Sequence, residues 1–138
     1  IAQCLVGSEM CIRDSPYTMP ISDIYGLRVA FDNIKNDRDI LKRHAQVADK
    51  VRTTLKEAGF TFYQNSGFSN TVTVFNVPEG MTADYILEEM KKRYGIMLAG
   101  SFGEFEGKVI RIGHMGENAY MDKVDEVLKG IMEICGKQ

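Results

Sequence analysis

The sequence predicts an α/β sandwich in which helices pack on a small, mostly antiparallel sheet. The length of 138 residues is that of about one domain. Hydrophobic residues make up 44% and charged residues 26%, the balance of an ordinary globular protein. Helical and strand periods alternate along the chain with short connections, in the order α-α-β-β-α-β-β-α, which favours helices layered on a sheet.

The first two predicted elements are helices. From Ser22, apolar residues recur at three- and four-residue steps over about four turns, at Ile24, Leu27, Phe31 and Ile34. A second helix begins near Asp39 and carries an apolar face as far as Ala58. Gly59 follows as a helix stop, because glycine readily adopts the left-handed conformation that ends helices.

Four short strands and two further helices complete the prediction. The strands cover residues 60–63, 71–77, 96–99 and 108–113. Thr82 is the expected N-cap of the third helix, and Gly95 its expected stop. Asn118 is the expected N-cap of the last helix.

Composition excludes several classes of protein. The net charge of −2 gives no basic surface of the kind that binds nucleic acid. No apolar run approaches the roughly 18 residues that span a membrane. The three cysteines, Cys4, Cys11 and Cys135, are odd in number and form no CxxC pair, which argues against a disulfide framework and a zinc site. A reducing, cytoplasmic location is therefore expected.

Residues 1–15 fit no helical or strand period and are predicted to be a disordered, non-native leader, so that the domain covers residues 16–138. Residues 4–15, CLVGSEMCIRDS, resemble the translated read-through of a transposon-type sequencing adapter. On this interpretation the native sequence begins at Pro16. The chain is then expected to be the C-terminal fragment of a longer protein.

The glycine-bearing loop 100–107 is expected to be a flexible connection. Three residues separate Gly103 from Gly107, whereas a phosphate-binding P-loop has four. Val109 also stands where that motif requires Ser or Thr, and the two glutamates in the loop would repel a phosphate.

Arg111 is the residue most suggestive of chemistry. It interrupts the apolar run Val109–Ile112, and strand alternation places it on the face opposite Ile110 and Ile112. An arginine cannot shed its proton, so a buried one needs a partner. That partner is either a carboxylate of the chain, in an internal salt bridge, or a ligand carboxylate held by two parallel hydrogen bonds.

The two histidines are less informative. His44 lies on the apolar face of the second helix, where a hydrogen-bonded boundary histidine is the simpler interpretation. His114 follows Gly113 close to Arg111, so it could line the same pocket. No Ser or Cys nucleophile is spaced to pair with it.

A family resemblance covers residues 16–136. The segment 107–116, GKVIRIGHMG, resembles the C-terminal signature of class V aminotransferases, within the alanine–glyoxylate and serine–pyruvate branch. Further matches fall in the family's order and spacing, at residues 17–20, Leu27, residues 43–45, residues 70–74, residues 95–96 and residues 99–100.

This resemblance implies the C-terminal small domain of a fold-type I enzyme that uses pyridoxal phosphate (PLP) and acts as a homodimer. The substrates would be a small amino acid (alanine or serine) and a 2-oxo acid (glyoxylate or pyruvate). Arg111 matches the family's carboxylate-binding arginine. Thr18, and with a weaker match Tyr17, correspond to the segment that reaches the cofactor phosphate of the neighbouring subunit.

One motif of the family, the one that contains the Schiff-base lysine, has no match in this chain. None of the lysines here stands in the family's Schiff-base motif, so this chain contains no catalytic residue and is expected to be inactive alone. Two other hypotheses stay open. The chain could be a stand-alone regulatory module that binds a small carboxylate through Arg111, or a purely structural domain in which Arg111 is paired internally.

Overall fold

A computed structural model describes residues 20–137 of the chain. The chain divides into two units, Ile1–Arg38 and Asp39–Gln138. The predicted leader and the predicted cofactor-binding residues Tyr17 and Thr18 lie outside the described residues.

In the first unit, helix α1 covers Ile21–Asn36 and matches the predicted helix. None of its residues is buried. The apolar side chains that predicted it, Ile24, Leu27, Phe31 and Ile34, are between 50% and 70% exposed. The periodicity therefore identified the helix correctly, although the apolar side chains that predicted it are exposed.

The second unit contains three helices and two strands. Helix α2 covers Ile40–Glu57, strand β1 Val72–Asn76, helix α3 Ala83–Glu89, strand β2 Val109–Gly113 and helix α4 Met121–Ile134. A π-helical turn, Met90–Tyr94, extends α3. Two 3₁₀ turns, Gly103–Phe105 and Gly116–Asn118, flank β2.

The sheet is antiparallel, as predicted, but smaller than predicted. Strands β1 and β2 pair with Val74 opposite Arg111 and Phe75 opposite Ile110. The two other predicted strands each reduce to one bridge, Phe62 with Phe75 and Ala99 with Arg111. An apolar run marks a segment that packs near a sheet, but it does not fix how many residues form the ladder.

The core lies between one face of this sheet and the helices. Phe75 of β1 and Ile110 and Ile112 of β2 are buried on that face. Helix α2 contributes the buried side chains Val47, Val51 and Leu55, and α4 contributes Val124, Leu128 and Ile131. The rings of Phe60 and Phe75 meet edge to face, with centroids 5.3 Å apart. This packing fixes the position of β2, and with it the opposite face that carries Arg111.

The helix ends test the predicted caps. The Thr82 side chain accepts a hydrogen bond from the Tyr85 backbone N–H at 3.3 Å, which confirms it as the N-cap of α3. Gly59 and Gly95 have φ of +77° and +67°, as expected of helix stops. The prediction for Asn118 is wrong, because Asn118 closes a 3₁₀ turn and α4 begins at Met121.

Within residues 20–137, no helix combines the length and the apolar composition that a membrane crossing requires. The same part of the chain holds no group of three His, Cys, Asp or Glu residues that could bind a metal ion. Cys135 is half-buried and is a free thiol.

Two polar side chains, Thr73 and His114, are buried among these apolar groups. Thr73 is 1% exposed and His114 is fully buried. The Thr73 hydroxyl and the His114 Nε2 atom share a hydrogen bond of 2.9 Å. Burial lowers the pKa of His114 below its usual value of 6.5, since the core disfavours the imidazolium form.

We expect this histidine to make the fold sensitive to acid. Near pH 6.5 the unfolded chain takes up a proton on His114, whereas the folded chain does so only at lower pH. The stability linked to this group is therefore complete above pH 6.5 and falls as the pH drops toward the lowered folded value. Urea unfolding at a series of pH values between about 5 and 7.5 measures this slope.

The variant His114→Gln keeps a polar side chain but cannot titrate. We expect a smaller decline in its free energy of unfolding over the same pH range, whatever its stability at neutral pH. Thr73→Val is the matched control, because it disturbs the same pair and retains the imidazole. An unchanged slope in His114→Gln would contradict this explanation.

Candidate functional site

The candidate site is centred on Arg111, the middle residue of β2. Ile110 and Ile112 are buried in the core, whereas Arg111 is half-buried on the opposite face. Alternation along the strand thus places the guanidinium where the sequence predicted it. A residue on this face points away from the core that holds the strand in position.

The backbone of Arg111 is held from both sides. On one side Arg111 is the register partner of Val74 in β1. On the other side its N–H donates to the Ala99 carbonyl at 2.8 Å, and its carbonyl accepts from the Ala99 N–H at 3.3 Å. A single-residue β-bridge to Ala99 thus extends the two-stranded sheet at Arg111.

The Arg111 side chain is also fixed near its base. Its Nε–H donates to the Gly100 carbonyl at 2.8 Å. Gly100 lies beside Leu87, since a Cβ atom at Gly100 would be 3.4 Å from the Leu87 Cδ1 atom. The Nε–H group of the guanidinium is therefore already hydrogen-bonded within the chain. No residue in 20–137 is hydrogen-bonded to its two terminal nitrogens.

No carboxylate neutralises this charge in the described part of the chain. The ion pairs there join Lys50 to Asp125, Arg93 to Glu89 and Lys129 to Glu133. The other neighbour of Arg111 is the Phe102 ring, whose centroid is 5.9 Å from the guanidinium carbon. Phe102 is 77% exposed. The internal salt bridge considered from the sequence is thus absent among residues 20–137.

This geometry suits the recognition of a carboxylate. A guanidinium binds one best through two parallel N–H donors, and the two terminal nitrogens of Arg111 supply them. The Gly100 carbonyl limits rotation of the side chain, so less entropy is lost when a ligand binds.

His44 has a structural role. Its Nδ1–H donates to the Ile40 carbonyl at 2.7 Å, and its Nε2 accepts from the Gly116 backbone N–H at 3.1 Å. In this tautomer Nδ1 is the donor and Nε2 the acceptor, so both ring nitrogens are hydrogen-bonded. His44 ties α2 to the turn that follows β2, which agrees with its interpretation as a hydrogen-bonded boundary histidine.

His114 does not share a pocket with Arg111. It follows β2 on the core side and is fully buried. Its polar partner is Thr73, on the face of β1 opposite Val74. The hypothesis that His114 contacts the same ligand as Arg111 is therefore wrong for this structure.

The described lysines lie near the surface of the structure. A lysine that forms a Schiff base is activated by burial or by a neighbouring cation. Every lysine among residues 20–137 is exposed except Lys137, which is half-buried. The Nζ atom of Lys137 donates to the Gly59 carbonyl at 3.1 Å and lies 4.8 Å from the Phe60 ring centroid.

Two contributors to the site were not predicted from the sequence. The Gly100 carbonyl is a backbone group, and backbone acceptors carry no residue signature. Phe102 had a signal that could have been used, since it is a large aromatic residue inside a glycine-bearing loop next to the arginine strand.

No protein-family model matches the chain. A pyridoxamine–pyruvate transaminase from Mesorhizobium japonicum is 32% identical over 130 residues, which are 89% of this chain and 33% of that protein. A serine–glyoxylate aminotransferase from Arabidopsis thaliana is 34% identical over 105 residues, covering 73% of this chain and 26% of that protein.

Solved structures with a similar fold include a protein with a similar name. The solved structure of an alanine–glyoxylate aminotransferase from Nostoc sp. matches with a TM-score of 0.82 and 26% identity, over 94% of this chain and 34% of that one. The chain spans about one third or less of the length of the relatives it matches. These three relatives, two found by sequence and one by fold, are named as aminotransferases or transaminases, and the chain corresponds to one part of each.

Proposed function

We propose that this chain is the part of a class V, PLP-dependent aminotransferase that binds the substrate carboxylate. The complete enzyme would transfer an amino group between a small amino acid, alanine or serine, and a 2-oxo acid, glyoxylate or pyruvate. The observation that carries the proposal is Arg111, whose terminal nitrogens have no hydrogen-bonded partner among residues 20–137. The names of the relatives support the substrate class, since they include glyoxylate and pyruvate.

The physical argument for Arg111 concerns the cost of its position. A half-buried guanidinium without a counter-ion loses part of its hydration and gains no ion pair in return. A substrate carboxylate supplies both the charge and two acceptor oxygens. Amino acids and 2-oxo acids both carry that group, so one arginine serves both halves of a transamination.

The described residues do not fit as the anchor of PLP, because no lysine among them lies in a buried site. PLP acts as the electron sink in transamination. Its Schiff-base lysine is expected in a part of the enzyme that this chain lacks, and we derive no chemical step for the cofactor here. Thr18 and Tyr17 remain candidates for contacting the cofactor phosphate of the second subunit in a cytoplasmic homodimer.

We expect Arg111→Lys to weaken substrate binding in the complete enzyme. A lysine replaces the planar fork with a point charge and removes the Nε–H that bonds to the Gly100 carbonyl. The loss is about 1–3 kcal/mol, which corresponds to about a 5- to 150-fold rise in the KM for the amino acid. Steady-state kinetics with alanine and glyoxylate measure it.

Arg93→Lys is the matched control for this experiment. Arg93 is also an arginine of this chain, but it pairs with Glu89 on the surface of the helix. Its replacement should leave KM unchanged. An unaltered KM in Arg111→Lys would contradict the assignment of Arg111 as the residue that binds the substrate carboxylate.

We also expect the 138-residue chain alone to be inactive. Mixed with PLP, alanine and glyoxylate, it should form pyruvate no faster than PLP does without protein, because no described lysine is placed to anchor the cofactor. Pyruvate formation and the PLP absorbance spectrum are the measurements. Turnover by the chain alone would contradict the proposal, whereas 2-oxo acid binding by a complete protein without a PLP lysine would favour the regulatory module.

A further inference from the structure

A groove lies between helix α2 and the segment that leads from α2 into β1. Its cavity volume is about 480 Å³, within the range that holds small-molecule ligands. The lining combines two cations, Arg52 and Lys56, with three aromatic rings, Phe60, Phe62 and Phe68. None of the lining residues is acidic. None of them belongs to the Arg111 site.

The two cations stand four residues apart on α2, so they share one face of the helix. Like charges at this spacing repel each other. No carboxylate among residues 20–137 forms an ion pair with either of them. The negative end of the helix dipole accounts for a lysine in the last turn of α2, but it does not account for the aromatic wall beside it.

Arg52 is fixed in place by its neighbours. Its Nη1 atom donates to the Ser69 carbonyl at 3.0 Å, and its guanidinium carbon lies 5.4 Å from the centroid of the Phe68 ring. Lys56, by contrast, makes no hydrogen bond or ion pair with any residue in 20–137. The groove thus offers one positioned cation and one ammonium group with its donors available.

The aromatic side of the groove is only partly covered. The rings of Phe62 and Phe68 meet edge to face, with centroids 5.9 Å apart. Phe68 is 39% exposed and Phe62 half-buried. Phe60, by contrast, is almost fully buried in the core. A flat apolar molecule would therefore find exposed ring surface next to positive charge.

We propose that this groove binds a small planar organic anion, an aromatic ring that carries a carboxylate, sulfonate or phosphate group. The ring packs against Phe62 and Phe68, and the anionic group pairs with Lys56 near Arg52. Both parts are needed, because an exposed ion pair by itself contributes little. The apolar contact adds affinity in proportion to the ring area that is removed from water.

The test uses naphthalene-2-carboxylate as the probe and the ¹⁵N-labelled 138-residue chain. Two-dimensional NMR records which backbone amides shift as the probe is added. We expect saturable shifts confined to residues 52–56 and 60–69. Naphthalene-2-methanol, which has the ring without the charge, and acetate, which has the charge without the ring, should each bind at least about fivefold more weakly.

Variants of two lysines on the same helix separate local from general charge effects. Lys56→Gln should weaken naphthalene-2-carboxylate binding about fivefold. Lys42→Gln removes the same charge from an exposed position outside the groove and should leave binding unchanged. Phe68→Leu should also weaken binding, because it removes the ring beneath Arg52.

Three results would overturn the proposal. One is equal binding of naphthalene-2-methanol, which would reduce the groove to an apolar patch. Another is the same loss of affinity in Lys42→Gln as in Lys56→Gln, which would indicate general charge attraction. The third is a set of shifts centred on the exposed apolar side chains of α1, which would place the probe elsewhere.

Discussion

The described site depends on one constraint. The Arg111 guanidinium is held on the outer face of a small sheet, and no carboxylate among residues 20–137 neutralises it. The chain uses three of its own backbone groups to hold Arg111, two at Ala99 and one at Gly100. All three engage the backbone or the base of the side chain. The two terminal nitrogens have no hydrogen-bonded partner among residues 20–137, and an arginine cannot remove the need for one by losing its proton.

The opposite face of the same strand explains how this position is maintained. Ile110 and Ile112 are buried in the core to which α2, α3 and α4 also contribute, and Phe75 lies opposite Ile110 in the neighbouring strand. Removing these groups from water is the main source of stability in such a core. Since neighbouring residues of a strand point to opposite faces, burial of the isoleucines fixes the direction of Arg111. The face that packs in the core and the face that carries Arg111 are thus the two sides of one five-residue strand.

The sequence was most informative where a single physical signal decides the structure. Helical periodicity identified the four α-helices found among residues 20–137, and the glycine stops at Gly59 and Gly95 were correct. Strand alternation placed Arg111 opposite its apolar neighbours. Where pairing depends on a distant segment, prediction failed. Residues 60–63 and 96–99 are apolar enough for strands, yet each contributes one bridge. Similarly, Asn118 is a good capping residue, but the backbone around it forms a 3₁₀ turn.

The site was predictable only in part, for a related reason. An arginine inside an apolar strand is conspicuous in a sequence, whereas the Gly100 carbonyl that orients it is not. The sequence also left open whether an acidic residue neutralises Arg111, because ion pairs form between segments that are far apart in the chain. The basic and aromatic groove on α2 was missed because Arg52 and Lys56 suit the end of a helix without any ligand.

The most direct test is an NMR titration of the ¹⁵N-labelled arginine side chains of this chain with glyoxylate or pyruvate. If Arg111 is a free carboxylate fork, its Nε–Hε signal shifts saturably at millimolar 2-oxo acid, while those of Arg38 and Arg93 stay in place. Arg111→Lys then abolishes the accompanying shifts of the backbone amides of β2. Uniform small shifts of all arginine signals, or none at Arg111, would contradict the account.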